Sequence, residues 1–163
     1  MLPVEIVQAD LNREDHQNTV LELIDAYAMD PMGNGKPLSE EVRRALIPAL
    51  QQRPTSLIFL AYRNDKAIGI ATCFLGFSTF TAKPLIHIDD LAVLPDYRRQ
   101  GVGRQLLIEI EREARKMDCC KLTLQVQENN HQARLVYEAV GFAQAGYVKA
   151  AGGCLSLSKP IVT

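Results

Sequence analysis

An apolar strand that runs through a basic, glycine-bearing turn straight into a long amphipathic helix leaves few folds open to this chain. The segment is Leu91-Ala92-Val93-Leu94-Pro95-Asp96-Tyr97-Arg98-Arg99-Gln100-Gly101-Val102-Gly103-Arg104-Gln105-Leu106-Leu107. Two glycines one residue apart let backbone approach a ligand closely, and the first-turn N–H groups of the helix, unpaired within it, point at whatever sits there. With the helix dipole behind them and Arg98, Arg99 and Arg104 around them, they form an anion site suited to a diphosphate. Taken alone, Gly-x-Gly also fits an ordinary turn between strand and helix. A nucleoside-triphosphate loop needs Gly-Lys-Ser/Thr after the second glycine, where Arg104-Gln105 stands. A dinucleotide fingerprint needs a third small residue at Leu106. What remains is Arg-x-x-Gly-x-Gly, from Arg98 to Gly103.

The elements around this segment follow from periodicity and helix breakers. Val4 to Gln8 reads as a short strand. Val20, Leu23, Ile24 and Tyr27 lie on one helical face, and Asp30 to Pro37 ends that helix. Ser39 is an N-cap for a second helix, with Glu40 and Glu41 near its positive end and a stripe of Val42, Ala45, Leu46 and Ala49. Pro48 conflicts with that helix, because an interior proline should kink or end it. Ser56 to Tyr62 and Ala67 to Phe77, separated by Arg63-Asn64-Asp65-Lys66, predict a hairpin. Leu85 to Val93 is a third central strand. A helix from about Gly103 to Met117 buries Leu106, Leu107, Ile110 and Ala114, and a strand follows at Lys121 to Val126. A last helix, about Asn130 to Val140, has Ala133, Val136, Tyr137 and Val140 on one face, with Gly141 as its left-handed cap. Weak strands are expected at Ala143 to Val148 and Cys154 to Ser158. Hairpins first and a strand-helix-strand unit later indicate an α/β or α+β domain with a mixed sheet. At 163 residues the chain is expected to be one domain, 1–163.

Composition removes several function classes. Lys+Arg 18 against Asp+Glu 19 gives a net charge of -1, which offers no footprint for nucleic acid or anionic membrane. No apolar run approaches the ~20 residues of a membrane helix. No basic region with an apolar run opens the chain, so no signal peptide is expected and the cytoplasm is the expected location. The four cysteines, with Cys119 and Cys120 adjacent and Cys73 and Cys154 in apolar stretches, do not form a disulfide framework. His16, His87 and His131 fall in separate elements without metal-ligand spacing, so no metal is expected. His87, alternating with Ile86 and Ile88, reads as a hydrogen-bonded sheet histidine.

Arg98 to Gly103 entering a long helix resembles the coenzyme A diphosphate loop of the GNAT superfamily of N-acetyltransferases. Two further motifs carry the resemblance, which extends from about Ile86 to Phe142. One is the preceding strand, Ile88-Asp89-Asp90-Leu91-Ala92-Val93. The other is Asn130-His131-Gln132-Ala133-Arg134-Leu135-Val136-Tyr137, ending in Gly141-Phe142, similar to the family's Asn-x-x-Ala-x-x-x-Tyr helix. The resemblance implies a single GNAT-like domain whose central mixed, mostly antiparallel sheet is splayed in the middle and flanked by about four helices. Acetyl-CoA is the implied donor, as cosubstrate. Its pantetheine arm would pair with backbone at Leu91, Ala92 and Val93. Its diphosphate would sit on Arg98, Arg99, Gln100, Gly101, Val102, Gly103 and Arg104, with Asn130, Ala133 and Tyr137 completing the site. By the same analogy Tyr137 lies near the coenzyme sulfur, and the Val93 N–H polarises the thioester oxygen.

The implied reaction is direct attack of a primary amine on a thioester. An alkylammonium of pKa about 10.4 must first lose its proton, which costs about 4.6 kcal/mol at pH 7. Asp89 and Asp90 are adjacent on a strand and point to opposite faces, so only one faces the acceptor. Family analogy favours Asp89 for binding or deprotonating the amine. A normal tyrosine, pKa about 10, is a weaker acid than a thiol at about 8.5, so Tyr137 serves chiefly as a hydrogen-bond donor to charge developing on sulfur. Phe77 to Pro84 and Ile88 to Leu91 resemble diamine and thialysine acetyltransferases, with Asp-Asp where that branch has Glu-Asp. A small cationic amine is therefore the expected acceptor, with Asp30, Met32, Phe80, Asp89 and Asp90 as its candidate contacts. A peptide N-terminus, a protein lysine, an amino acid or an aminoglycoside are alternative acceptors, and a catalytically silent acetyl-CoA-binding regulatory module is the alternative of another class. Homodimerisation is common among such proteins, and no sequence feature here marks an interface.

Overall fold

The computed structural model describes residues 3–146 and 148–161. In chain order the elements are β1 (Glu5–Gln8), α1 (Glu14–Met29), α2 (Glu40–Gln51), β2 (Ser56–Arg63), β3 (Lys66–Ser78), β4 (Lys83–Val93), α3 (Val102–Lys116), β5 (Leu122–Leu124) and α4 (His131–Ala139), with a 3-10 turn at Pro95–Tyr97. The strands form one sheet in the order β1-β2-β3-β4-β5. Every neighbouring pair is antiparallel except β4 and β5, which are parallel. This is the mixed α+β architecture expected from the order of hairpins and helices.

Local chemistry explains the joints. The β2–β3 turn places Asn64 and Asp65 at φ 49° and 61°, the doubly left-handed turn that matches strand twist and that Asn and Asp tolerate. The Ser39 Oγ accepts the Val42 N–H at 3.2 Å, so the predicted N-cap is real, and the Asn130 Oδ1 caps α4 in the same way by accepting the Ala133 N–H at 3.2 Å. Gly141, at φ 99°, ends α4 as predicted.

Alternation along the strands builds two cores, one on each face of the sheet. Ile58, Leu60 and Ile70 pack with Val20 and Leu23 of α1 and Ile47 and Leu50 of α2. Phe59, Ala61, Ile86 and Ile88 pack on the other face with Val102, Leu106, Leu107 and Ile110 of α3, and Val136 and Tyr137 of α4 close that side. The predicted α3 face is the buried one.

Four expectations need correction. In α2 the buried residues are Ile47 and Leu50, while Val42, Ala45 and Ala49 are exposed, so the inward face is rotated from the predicted stripe. Pro48 does not end α2, which continues to Gln51. It sits in the last turn on the exposed side, where the Arg44 carbonyl it leaves unpaired can face water. The strand expected over Lys121 to Val126 shrinks to Leu122–Leu124. Cys154 to Ser158 is not a strand, and Cys154 is exposed. The strand expected over Ala143 to Val148 includes Tyr147, which lies outside the described residues. The described residues flanking it form turns and one isolated bridge, Val148 to Gly152. Gly146 and Gly152, at φ 64° and 76°, turn the chain there, and short alternation without a ladder does not hold a strand.

Candidate functional site

Past Ile88, β4 loses a neighbour. Its pairing with β5 covers only Ile86–Leu122, His87–Thr123 and Ile88–Leu124, whereas its pairing with β3 continues to Val93. The sheet therefore opens between the two strands where the resemblance implies a splay. The Leu94 N–H donates to the Ile68 carbonyl at 2.9 Å, and Ala92 stands opposite Ile70 in the same register. In an antiparallel ladder alternate residues turn their polar groups to the same side. Ala92 is thus committed to β3, and Leu91 and Val93 present their main-chain groups to the gap. Ala92 faces α1 with its side chain instead.

The mouth of the gap is the turn from Pro95 to Gly101. Arg99 and Gly101 both have left-handed backbone, at φ 58° and 81°. The first helical bond of α3 runs from the Gln105 N–H to the Gly101 carbonyl, which leaves the N–H groups of Val102, Gly103 and Arg104 without partners in the helix. The side chains of Arg99 and Arg104 are exposed, and among the described residues neither pairs with a carboxylate. Gln100 is structural. Its amide accepts from Arg63 Nη1 at 2.6 Å and donates to the Asp96 carbonyl at 2.9 Å, while the Arg63 guanidinium lies 5.6 Å from the Tyr97 ring centroid. A Cβ on Gly103 would stand 4.0 Å from both Val136 and Val93, so β4, α3 and α4 converge on that glycine.

On the α1 side of the sheet lies a small cavity of about 40 Å³ lined by Tyr27, Asp30, Ala92, Val93, Leu94 and Arg98. Asp30 ends α1, and its Oδ2 accepts from Arg98 Nη2 at 2.5 Å. That guanidinium holds the Asp30 carboxyl below its usual range. Asp90 is half-buried and accepts the Thr72 hydroxyl. Burial pushes the Asp90 carboxyl up, only partly offset by that hydrogen bond. Asp89 is the extra residue of a β-bulge, since Thr72 pairs with Asp90 and Cys73 with Ile88, and its side chain is exposed. Burial, with the charges of Asp90, Asp30 and Asp89, raises the Tyr27 hydroxyl. Burial and the neighbouring Tyr27 push Tyr137 up to about 12. The Tyr137 ring leans on Phe142, with centroids 5.9 Å apart.

These placements gather most of the predicted site residues. Leu91, Val93, Arg98 to Arg104, Tyr137, Asp30, Asp89 and Asp90 surround the open half of β4. Asn130 and Ala133 form the cap of α4, and Met32 is half-exposed in the α1–α2 loop, its N–H donating to Asp30 at 2.9 Å. Phe80 is not brought to them. It is fully exposed in the β3–β4 turn, at the opposite end of β4 and about 30 Å from Val93 along the strand. His87 is satisfied by Thr123 Oγ1 at 2.8 Å. Tyr27 and Thr72 were not anticipated as site residues. Tyr27 sat on the predicted apolar stripe of α1, which hides a hydroxyl at the end of a packed ring. Among the described residues no group of His, Cys, Asp and Glu is arranged to hold a metal, and no helix is long and apolar enough to cross a membrane.

Residues 20–142 match the Acetyltransferase (GNAT) family. The chain belongs to that family. The GNAT domain here is 31% identical to the uncharacterized N-acetyltransferase YhfO of Bacillus subtilis over 105 residues, 64% of this chain and 70% of that protein. It is 26% identical to an aminoglycoside N(6')-acetyltransferase type 1 of Acinetobacter genomosp. 13 over 65% of this chain and 75% of the relative. To the thialysine N-epsilon-acetyltransferase of Bos taurus it is 30% identical, over 45% and 43%. The fold agrees with the crystal structure of a probable acetyltransferase, at TM-score 0.79 and 24% identity, covering 98% of this chain and 99% of the other. Family membership makes the protein an acyltransferase with acetyl-CoA as its donor.

Proposed function

We propose that this GNAT enzyme acetylates the primary amine of a small cationic acceptor, bound on the α1 side of β4 between Tyr27 and the Asp89-Asp90 bulge. The observation that carries the reading is the parting of β4 from β5 after Ile88, with an open helix N-terminus at the mouth and Tyr137 on the wall. The residues present fit the donor. The gap offers the main-chain groups of Leu91 and the Val93 N–H to the pantetheine amides, in the manner of an added strand. The N–H groups of Val102, Gly103 and Arg104, with the side chains of Arg99 and Arg104, suit a diphosphate. Gly103 sits at the neck between Val136 and Val93, where a side chain longer than a methyl group would intrude.

Acetyl-CoA supplies a thioester carbonyl that an amine can attack. The chain's own residues do the rest. Asp89 and Asp90 attract a cationic acceptor, whose ammonium must lose a proton before it reacts. Family analogy favours Asp89 for that step. Asp90 is better placed, because its burial makes it a stronger base than an ordinary carboxylate, whereas Asp89 opens to solvent. The Val93 N–H, pointing into the gap, stabilises negative charge on the carbonyl oxygen. Tyr137, held at about 12, lies some 3.5 units above a thiol, so surrendering its proton costs roughly 5 kcal/mol. It acts by donating a hydrogen bond to the departing sulfur. The small-amine reading gains support from relatives named for aminoglycosides and thialysine.

Thiol release from acetyl-CoA, scanned over diamines, polyamines, amino acids, aminoglycosides and short peptides, tests this directly. Release with small polycationic amines, lowered about 10-fold in Asp90→Asn, is expected. Release with peptide N-termini alone would place the acceptor in another class.

A further inference from the structure

Arg98 opens the glycine motif, yet its guanidinium lies on the face of the sheet opposite α3. Its Nε donates to the Val93 carbonyl at 2.9 Å and its Nη2 to Asp30 Oδ2 at 2.5 Å. Its surroundings are Tyr27, Ile70, Ala92 and Leu94, which line the α1 face. The open N–H groups of α3 belong to the other face, where Val102 and Leu106 enter the core. We propose that Arg98 is a positioning residue of the acceptor site, tying the wall of that site to the end of the coenzyme strand, and not a ligand of the diphosphate. The proposal rests on the acetyl-transfer reading above and deepens it.

Each end of the tie holds something. Asp30 is the hub of the α1–α2 loop. Its other carboxylate oxygen accepts the Met32 N–H at 2.9 Å, and its carbonyl accepts from Gly33 at 2.8 Å and Gly35 at 3.2 Å. Fixing Asp30 therefore fixes the start of the α1–α2 loop beside Tyr27. At the other end, the Val93–Leu94 peptide is held on both sides, its N–H by Ile68 and its carbonyl by Arg98. The end of β4 is thus anchored at both groups of that peptide, and Val93 keeps only its N–H for the gap. Charge matters as well as shape. The Asp30 side chain is only 13% exposed, so an unpaired carboxylate there would add to the negative field already set by Asp89 and Asp90 around Tyr27. The planar fork of arginine spans a carbonyl and a carboxylate together, which the single ammonium of lysine does not reproduce.

The test measures coenzyme A affinity by calorimetry and acetylation kinetics with the best amine, in Arg98→Ala, Arg98→Lys, Arg104→Ala, Asp30→Asn and the Arg98→Ala/Asp30→Asn double variant. Arg98→Ala should bind coenzyme A within about 3-fold of wild type, while Arg104→Ala binds about 10-fold more weakly. Arg98→Ala should lower kcat/KM for the amine about 10-fold or more, Arg98→Lys should not restore it, and the double variant should fall no further than Arg98→Ala. A loss of coenzyme affinity of 10-fold or more in Arg98→Ala, with the amine KM unchanged, would overturn the proposal. So would full rescue by lysine. If Arg98→Ala fails to fold, Arg98→Lys and Asp30→Asn carry the same comparison. If no amine is acetylated, the acetyl-transfer reading fails, and the calorimetric comparison of Arg98 with Arg104 still decides whether Arg98 is an anion ligand.

Discussion

The two halves of β4 are made of the same chain and do opposite things. Up to Ile88 the strand pairs with β3, and over Ile86 to Ile88 with β5 as well, with Ile86 and Ile88 in the α3-side core and His87 bonded to Thr123 across the parallel pair. From Asp89 to Val93 it keeps β3 and loses β5. The first half holds the protein together because both of its edges are satisfied. The second is where the protein can act, because an unpaired edge inside a domain is a row of donors and acceptors awaiting a ligand. The bulge at Asp89 marks the change. One extra residue re-aims the strand and places Asp89 in solvent and Asp90 beside Thr72.

Variants in the two halves should separate stability from activity. Ile86→Ala, at a fully buried position of the closed half, should cost roughly 2–5 kcal/mol in urea unfolding and leave coenzyme affinity of the folded protein unchanged. Weakened coenzyme binding there would break the comparison. Gly103→Glu acts at the neck of the open half. A glutamate suits a helix N-terminus, so α3 survives, but its charge occupies the anion site and its bulk meets Val136 and Val93. Coenzyme A affinity by calorimetry should fall about 100-fold, roughly 2.7 kcal/mol.

Tyr137→Phe removes one hydrogen bond to a developing charge, and kcat should drop about 10- to 100-fold with coenzyme affinity intact. Unchanged turnover would remove Tyr137 from the chemistry. Asp90→Asn sharpens the comparison, since it should lower kcat/KM for a cationic amine about 10-fold while stabilising the fold. The sign follows from burial. A carboxyl whose folded pKa is raised favours the folded state below the ordinary value of about 3.9 and loses that contribution as pH rises through the folded value. Asparagine mimics the protonated form. The gain in Tm should therefore be present at pH 7 and vanish near pH 3.

The glycine turn and α4 were legible in the sequence because their requirements are written in residue types. Gly101 needs left-handed backbone, Gly103 stands where β4, α3 and α4 meet, and Asn130 and Gly141 punctuate α4. The acceptor side was not. Strict alternation predicts that Asp89 and Asp90 oppose each other, and a single bulged residue changes which one is enclosed. The direction of Arg98 depends on Asp30, 68 positions away in sequence, and no local pattern announces that pairing. The face of α2 was misjudged because Val42, Ala45 and Ala49 carry too little apolar area to set the rotation against Ile47 and Leu50. The strand expected over Cys154 to Ser158 does not form, because no neighbouring strand offers it a ladder.

The central claim is that the open edge of β4 receives the coenzyme as an added strand. Amide hydrogen exchange, resolved by residue in the free protein and with saturating coenzyme A, tests it most directly. Leu91 and Val93 should exchange rapidly in the free protein and become protected on binding, while Ala92, already paired with β3, stays slow in both states. Protection confined to the α3 turn, with Leu91 and Val93 unchanged, would contradict the account.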